Sequence, residues 1–143
     1  MASRDLMNSV HPVVAIAPVV VADGTVQKSA AIDTLGYESV TFIVQLGTLT
    51  DADATFAVTV KDGTTSTQSA HADVADDFLI GTEALAGFQF DDDGECRKIG
   101  YKGGKRYVSI EIDDVVANTG NVPLAVLCLL GHPKSVPTAN PPQ

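Results

Sequence analysis

The chain has 143 residues, a net charge of −9 and a pI near 4.5. That length fits one domain able to bury its own core, and a hydrophobic content of 45% excludes general disorder. The acidity argues against direct nucleic-acid binding by the whole domain, because phosphate recognition needs clustered positive charge.

There is no Trp, aromatic content is 6%, and Val, Thr and Ala are abundant, which favours strands over helices. Cys96 and Cys128 have no metal-ligand spacing and read as two reduced thiols, with Cys128 buried in a strand. The apolar run Val13–Ala22 is too short to span a bilayer, and Met1–His11 lacks the basic flank of a signal peptide. The expectation is a protein made in the cytoplasm, with neither a membrane nor a nucleic acid as partner and with no cofactor or metal.

In chain order, residues 1–11 read as an arm with no hydrophobic period. Pro12–Ala22 is apolar on both faces, but Pro12 and Pro18 remove ladder donors, so it fits an edge strand or extended arm. After the Asp23-Gly24 turn, Thr25–Asp33 reads as a strand with Val26, Lys28, Ala30 and Ile32 on one side. Gly36–Gly47 (GYESVTFIVQLG) is the central strand, with Val40, Phe42, Val44 and Leu46 on one face at period two. Thr48–Asp51 is a polar loop, and Ala54–Lys61 alternates again through Phe56, Val58 and Val60. Two such runs joined by a few turn-prone residues predict a hairpin that nucleates the core.

Asp62–Ser69 is a polar turn, and Ala70–Ala86 is the one stretch where a short helix fits. Phe88 and Phe90 alternate briefly, Cys96–Tyr101 is a short strand, and Gly103-Gly104 marks a tight turn into Lys105–Asp113. There Val108, Ile110 and Ile112 point inward. Val122–Leu130 is apolar on both faces and is expected between two layers. Four prolines in the last twelve residues make 132–143 an extended tail that builds no packed element. Eight or so short strands with regular turn signals predict an all-β antiparallel sandwich or jelly roll over 12–131, with extended N- and C-terminal arms.

Little points to catalysis. Asp91–Glu95 (DDDGE) offers oxygen ligands, but an EF-hand frame placing Gly94 sixth puts Gln89 first and Gly100 last, both wrong for calcium. It reads instead as a solvated acidic turn. His11, His71 and His132 are scattered, and no nucleophile motif such as GxSxG is present. Gly100–Gly104 lacks phosphate-loop spacing. Arg97, Lys98, Lys102, Lys105 and Arg106 form a basic cluster that either balances charge across a hairpin or presents a basic edge to an acidic partner.

Ile99–Ile112 (IGYKGGKRYVSIEI) resembles a strand–turn–strand signature of small structural proteins of tailed bacteriophages, and Gly36–Gly47 resembles a second strand they carry near their first third. The two segments cover about a fifth of the chain. The sequence departs from that pattern at Asp62–Ser69, which has no aromatic residue. The resemblance implies a β-rich capsid decoration, or cement, protein of the virion, often trimeric, bound outside the shell to the major capsid protein. On this reading the partner interface is expected to include Arg4, Val13, Val14, Ile16, Lys102, Lys105, Arg106 and Pro137. A second reading is a carbohydrate- or receptor-binding β-sandwich on the virion or tail, which the lack of Trp platforms disfavours. An enzyme is the third, with no positive feature behind it.

Overall fold

Eleven strands and one helical turn follow each other along the chain. They are β1 (Val10–Val21), β2 (Gln27–Lys28), β3 (Ile32–Asp33), β4 (Tyr37–Leu46), β5 (Thr55–Gly63), β6 (Ala72–Asp73), β7 (Leu79–Ile80), α1 (Glu83–Ala86), β8 (Phe88–Gln89), β9 (Cys96–Tyr101), β10 (Tyr107–Val116) and β11 (Val122–Pro133). This is a computed structural model, which describes residues 4–116 and 118–142. The first three residues of the expected arm, Ala117 and Gln143 lie outside the described residues.

The strands form two antiparallel sheets. The first has the order β1-β11-β4-β9-β7; the second has β10 and β5 at its centre, with β2, β3, β6 and β8 as short flanking pieces. From β4 onward the long strands alternate between the sheets along the chain: β4, β9 and β11 lie in the first, β5 and β10 in the second. This is the winding of a jelly roll, and the expected all-β sandwich is what the chain adopts.

Alternation decides which side chains meet. Val40, Phe42, Val44 and Leu46 of β4 are buried, as are Phe56, Val58 and Val60 of β5 and Val108, Ile110 and Ile112 of β10. Phe88 stacks on Phe56 with centroids 4.7 Å apart. Yet the chain from Gly36 to Lys61 is not a hairpin. β4 pairs with β11 and β9, whereas β5 pairs with β10, β6 and β8. The seven apolar residues of the two runs do share one core, but they face each other across the sandwich.

The loop between these strands explains the correction. Its backbone N–H groups do not bond back across a turn: Gly47 donates to Pro123 O, Leu49 to Asp93 Oδ1 and Thr50 to Asn121 O. Leu49 is buried at the sandwich rim. Asp51, only 8% exposed, accepts from the backbone N–H of Asp53, Ala54, Thr119 and Gly120 and from Thr119 Oγ1. One carboxylate therefore closes two crossings, β4 to β5 and β10 to β11. A side chain at Gly120 would collide with the Asp51 backbone, so glycine is needed for that approach.

Three other expectations change. Thr25–Asp33 is not one strand, because Ser29 turns inward: its Oγ accepts from Ile110 N–H at 2.9 Å and donates to Ala30 O. That leaves two-residue pieces, β2 and β3, on either side. Ala70–Ala86 yields a single α-helical turn, capped by Thr82 Oγ1 accepting from Leu85 N–H. Cys96–Asp113 is not a hairpin either, since β9 lies in the first sheet and β10 in the second. β1 takes the expected edge position, its register broken between Val14 and Ile16 and between Ile16 and Val19.

The terminal segments meet. Thr138 donates through its backbone N–H to Asn8 O and through Oγ1 to Val10 O, so the Pro-rich tail returns to the start of β1.

Two stability tests follow from these contacts. Phe42 is 0% exposed, so Phe42→Ala is expected to cost about 3–5 kcal/mol in urea melts. The backbone bonds from Asp53 and Thr119 hold the Asp51 carboxyl well below the usual carboxylate range. A depressed carboxylate stabilises the fold above its unfolded value, near 3.9, and loses that contribution as pH falls towards its folded value. Asp51→Asn is therefore expected to melt lower than wild type at pH 7, with the gap narrowing below about pH 4. A gap that stayed constant down to pH 3 would show that Asp51 acts by shape alone.

Candidate functional site

The two sheets present different outer faces. On the second, Glu111 is the hub of a polar ladder: Lys28 approaches it at 3.2 Å, Lys61 at 3.4 Å and Gln68 at 2.7 Å, and Lys61 also pairs with Asp73 at 2.8 Å. Burial pushes the Glu111 carboxyl up, but the Gln68 bond and the two lysines outweigh it and hold the group below its ordinary value. This face is satisfied by its own charges.

The outer face of the first sheet is apolar. β11 was expected between two layers, and nothing covers it among the described residues. Its inward side chains Val122, Leu124, Val126, Cys128 and Leu130 are buried, while Leu127 on the other side is 40% exposed. Directly opposite Leu127 in the register is Val14, 61% exposed. Val20 and Ile80 extend the patch towards the two edges at 56% and 60%. Ile43, Leu129 and Ala125 fill the middle, half-buried. The five strands, about 4.8 Å apart, are two to twelve residues long, and these apolar side chains reach from one edge of the sheet to the other.

Shallow grooves cut this face. One of about 470 Å³ lies at the β11 terminus, between Leu6, Val10, Leu129, Thr41 and Val136. Ser39 and His132 form its polar wall, with His132 Nδ1 3.0 Å from Ser39 Oγ. His132 has φ +49, an uncommon conformation for a non-glycine residue.

The residues expected at an interface separate into groups. Val14 is on the apolar face and exposed, whereas Val13 alternates inward and is half-buried. Ile16 is 7% exposed and belongs to the core, because the register break after Val14 turns it inward. Lys105 and Arg106 are engaged within the chain. Lys105 Nζ meets Asp62 at 2.7 Å, and Arg106 meets Asp33 at 2.6 Å while its guanidinium lies over the Tyr107 ring. Arg4, Lys102 and Pro137 are exposed. Sequence reasoning missed Leu127, which was read with Val122–Leu130 as covered on both faces, and Ile80, and it placed Lys98 in the basic cluster without naming it at the interface. The missed signal was an apolar strand whose outer face no other described element covers.

The GYKGG segment is a structural clasp. Tyr101 reaches across the core so that its hydroxyl donates to buried Asp62 at 2.9 Å and accepts from Lys105 N–H at 3.1 Å. A side chain at Gly103 would collide with the Tyr101 ring, so the loop can close over it only as glycine. The acidic turn is also used internally: Asp93 accepts from Leu49 N–H, Asp92 from Gln89 N–H, and Arg97 pairs with Asp92 and Glu95. No group of three or more metal-ligating side chains occurs among the described residues.

The histidines do not converge. His71 is buried, with Nδ1 2.8 Å from Ser109 Oγ and Nε2 3.0 Å from Thr65 O. His11 stacks on Tyr37, centroids 5.5 Å apart. The His71–Ser109 and His132–Ser39 pairs have no carboxylate on the second ring nitrogen among the described residues, and Ser109 is inaccessible. Cys128 is buried and its thiol is pushed up to about 12 by burial; Cys96 is exposed on the outer face.

No protein-family model matches the chain, and no curated protein matches it. Solved structures do. The CBM22-1–GH10 modules of Clostridium thermocellum endo-1,4-β-D-xylanase 10B, complexed with xylohexaose, superpose with a TM-score of 0.52 at 11% identity over 94% of this chain. This chain spans 28% of the length of that one. The EclA C-terminal domain, a sugar-binding protein, matches with a TM-score of 0.47 at 11% identity, over 90% of this chain and 82% of that one. A structure of infectious bursal disease virus, Gx strain, matches with a TM-score of 0.46 at 14% identity, over 90% and 35%. At such identities the xylanase likeness is one of fold, and it agrees with the β-sandwich described above.

The clasp can be checked by alkaline titration. Burial, then the bond to Asp62, pushes the Tyr101 hydroxyl up to about 12. A raised value means that Tyr101 favours the fold below its unfolded value near 10 and loses that contribution as pH rises towards 12. Tyr101→Phe is expected to remove a tyrosinate absorbance phase centred near pH 12. Loss of a phase centred near pH 10 instead would place the Tyr101 hydroxyl in solvent.

Proposed function

We propose that this protein is a non-enzymatic binding module that docks onto a larger protein assembly through the outer face of its five-stranded sheet. The finer reading is a structural protein of a phage virion that binds the outside of the capsid and bridges major capsid protein subunits, in trimeric form. The observation that carries it is the apolar outer face around Leu127 and Val14, left uncovered in a chain of net charge −9. The virion context rests on the resemblance of Ile99–Ile112 and Gly36–Gly47 to small phage structural proteins.

A second reading is a carbohydrate- or receptor-binding sandwich, supported by the fold likeness to the xylohexaose-bound xylanase modules. Its place on this chain is a polar groove of about 570 Å³ beside β5, lined by Thr55, Thr59, Glu83, Gln89 and Asp92. Against it, the aromatic residues that line this groove, Phe56 and Phe88, are buried and offer no exposed stacking platform, and Glu83 already accepts from Val60 N–H.

Leu127→Lys separates the readings. It is expected to change the melting free energy by about 1 kcal/mol or less, because the side chain is partly in solvent. Co-sedimentation with capsids should weaken by about tenfold or more. Calorimetric titration with xylohexaose should give no heat. Binding of xylohexaose that Glu83→Gln weakens, together with capsid binding unaffected by Leu127→Lys, would favour the carbohydrate reading.

A further inference from the structure

We propose that the surface recognised by the five-stranded sheet is an acidic protein surface surrounding an apolar patch, held through Lys98, Lys102 and Lys134. The inference rests on the reading that this face docks onto a protein assembly, and it names the chemistry of the partner.

Five cations of the chain are already engaged by its own carboxylates: Lys28, Lys61, Arg97, Lys105 and Arg106. Lys98, Lys102 and Lys134 are exposed and have no carboxylate within ion-pair distance among the described residues. All three belong to the first sheet. Lys98 stands opposite Ile43 in the β4–β9 register, and alternation with buried Ile99 turns it to the outer face. Lys102 follows the end of β9 and Lys134 the end of β11, at the margin where β4 begins. Their backbones are pinned: Lys102 N–H donates to Phe78 O and Lys134 N–H to Gly36 O, each at 2.9 Å. β9 and β11 flank β4, two strand spacings or about 10 Å apart, and their registers set Lys102 three residues further along β4 than Lys134, so the two ends lie about 14 Å apart. That is about one and a half Debye lengths at 0.1 M salt, within the span of one approaching protein surface.

The carboxylates are distributed the other way. The strands of the first sheet contain one, Glu38, which falls in the inward parity of β4 beyond the core. The strands of the second sheet contain Asp33, Asp62, Asp73, Glu111, Asp113 and Asp114. A chain of net charge −9 is repelled as a whole by an acidic surface; three exposed lysines on or directly after strands that hold one carboxylate lower that repulsion locally and bias the orientation of approach, with exposed Asp76 and Asp77 confined to the turn before β7. A second copy is the poorer occupant, because a two-fold pairing of this face would bring the same lysines to both sides with few carboxylates to meet them.

The test uses the full chain and an immobilised random glutamate–tyrosine copolymer, an acidic polypeptide with apolar side chains. Lys98→Gln/Lys102→Gln/Lys134→Gln is compared with a control of equal net charge, Thr25→Glu/Gln27→Glu/Ala52→Glu, placed on the second sheet and at the Asp51 end. Matching thermal melts establish that both variants fold. Wild type is expected to be retained at low salt, more weakly as salt rises; the lysine variant should lose about tenfold or more, and the control should stay within about twofold. No retention of wild type, or equal loss in both variants, would overturn the proposal. A parallel arm uses capsids depleted of the chain. If wild type and the lysine variant bind them equally with the same salt dependence, the acidic-surface inference fails while docking stands. If wild type binds no capsid yet shows lysine-dependent retention on the copolymer, docking on the shell fails and the recognition chemistry stands.

Discussion

The winding of this chain depends on two buried carboxylates, one at each end of the sandwich. Asp51 gathers four backbone N–H groups and one hydroxyl where β4 crosses to β5 and β10 crosses to β11. Asp62, at the far end of β5, binds Tyr101 and Lys105 where β9 crosses to β10. A loop that crosses between sheets leaves its backbone donors without a ladder, and burying them unpaired would cost about 1–3 kcal/mol each. Asp51 removes that penalty at its end; at the other, Tyr101 Oη accepts from Lys105 N–H and is itself anchored by Asp62. With the crossings set, alternation buries one side of every long strand.

That arrangement produces the asymmetry on which the proposed docking rests. A sandwich has two outer faces, and each must meet water or a partner. The second sheet meets water with a ladder of lysines and carboxylates centred on Glu111. The first meets it with Leu127, Val14, Val20 and Ile80, and with three exposed lysines on or directly after its strands. Prolines and register breaks in β1 blunt the adjoining edge, so the chain keeps a sticky face while protecting against strand addition at that side. A face of this kind favours docking flat against another surface.

The segment that most resembles phage structural proteins has a mechanical explanation of its own. Tyr101 and Lys105 both bind Asp62, Gly103 makes room for the Tyr101 ring, and Arg106 clamps Asp33 beside β3. Each of these residues positions a crossing. The signature therefore describes how the fold is closed, and the surface chemistry is carried by Lys98, Lys102 and the apolar strands around them.

The sequence by itself determined the fold class and most of the core. Period-two alternation in β4, β5 and β10 is a local property of the chain, and it identified Phe42, Val58, Ile110 and their neighbours as buried without reference to any partner strand. It also placed β1 at an edge, because a proline cannot donate to a ladder wherever the strand lies. Tertiary structure alone decided pairing. A short polar loop after an alternating strand is compatible with a hairpin or with a crossing between sheets, and the choice was made by Asp51 and Asp62 through partners as many as 69 residues away. For the same reason the candidate surface was hidden. An apolar strand reads the same whether its second face is covered or bare, and only the folded topology shows that none of the described elements covers Leu127. The freedom of a lysine is likewise a property of the folded chain: Lys102 and Lys105 are neighbours in sequence, but only Lys105 points at a carboxylate.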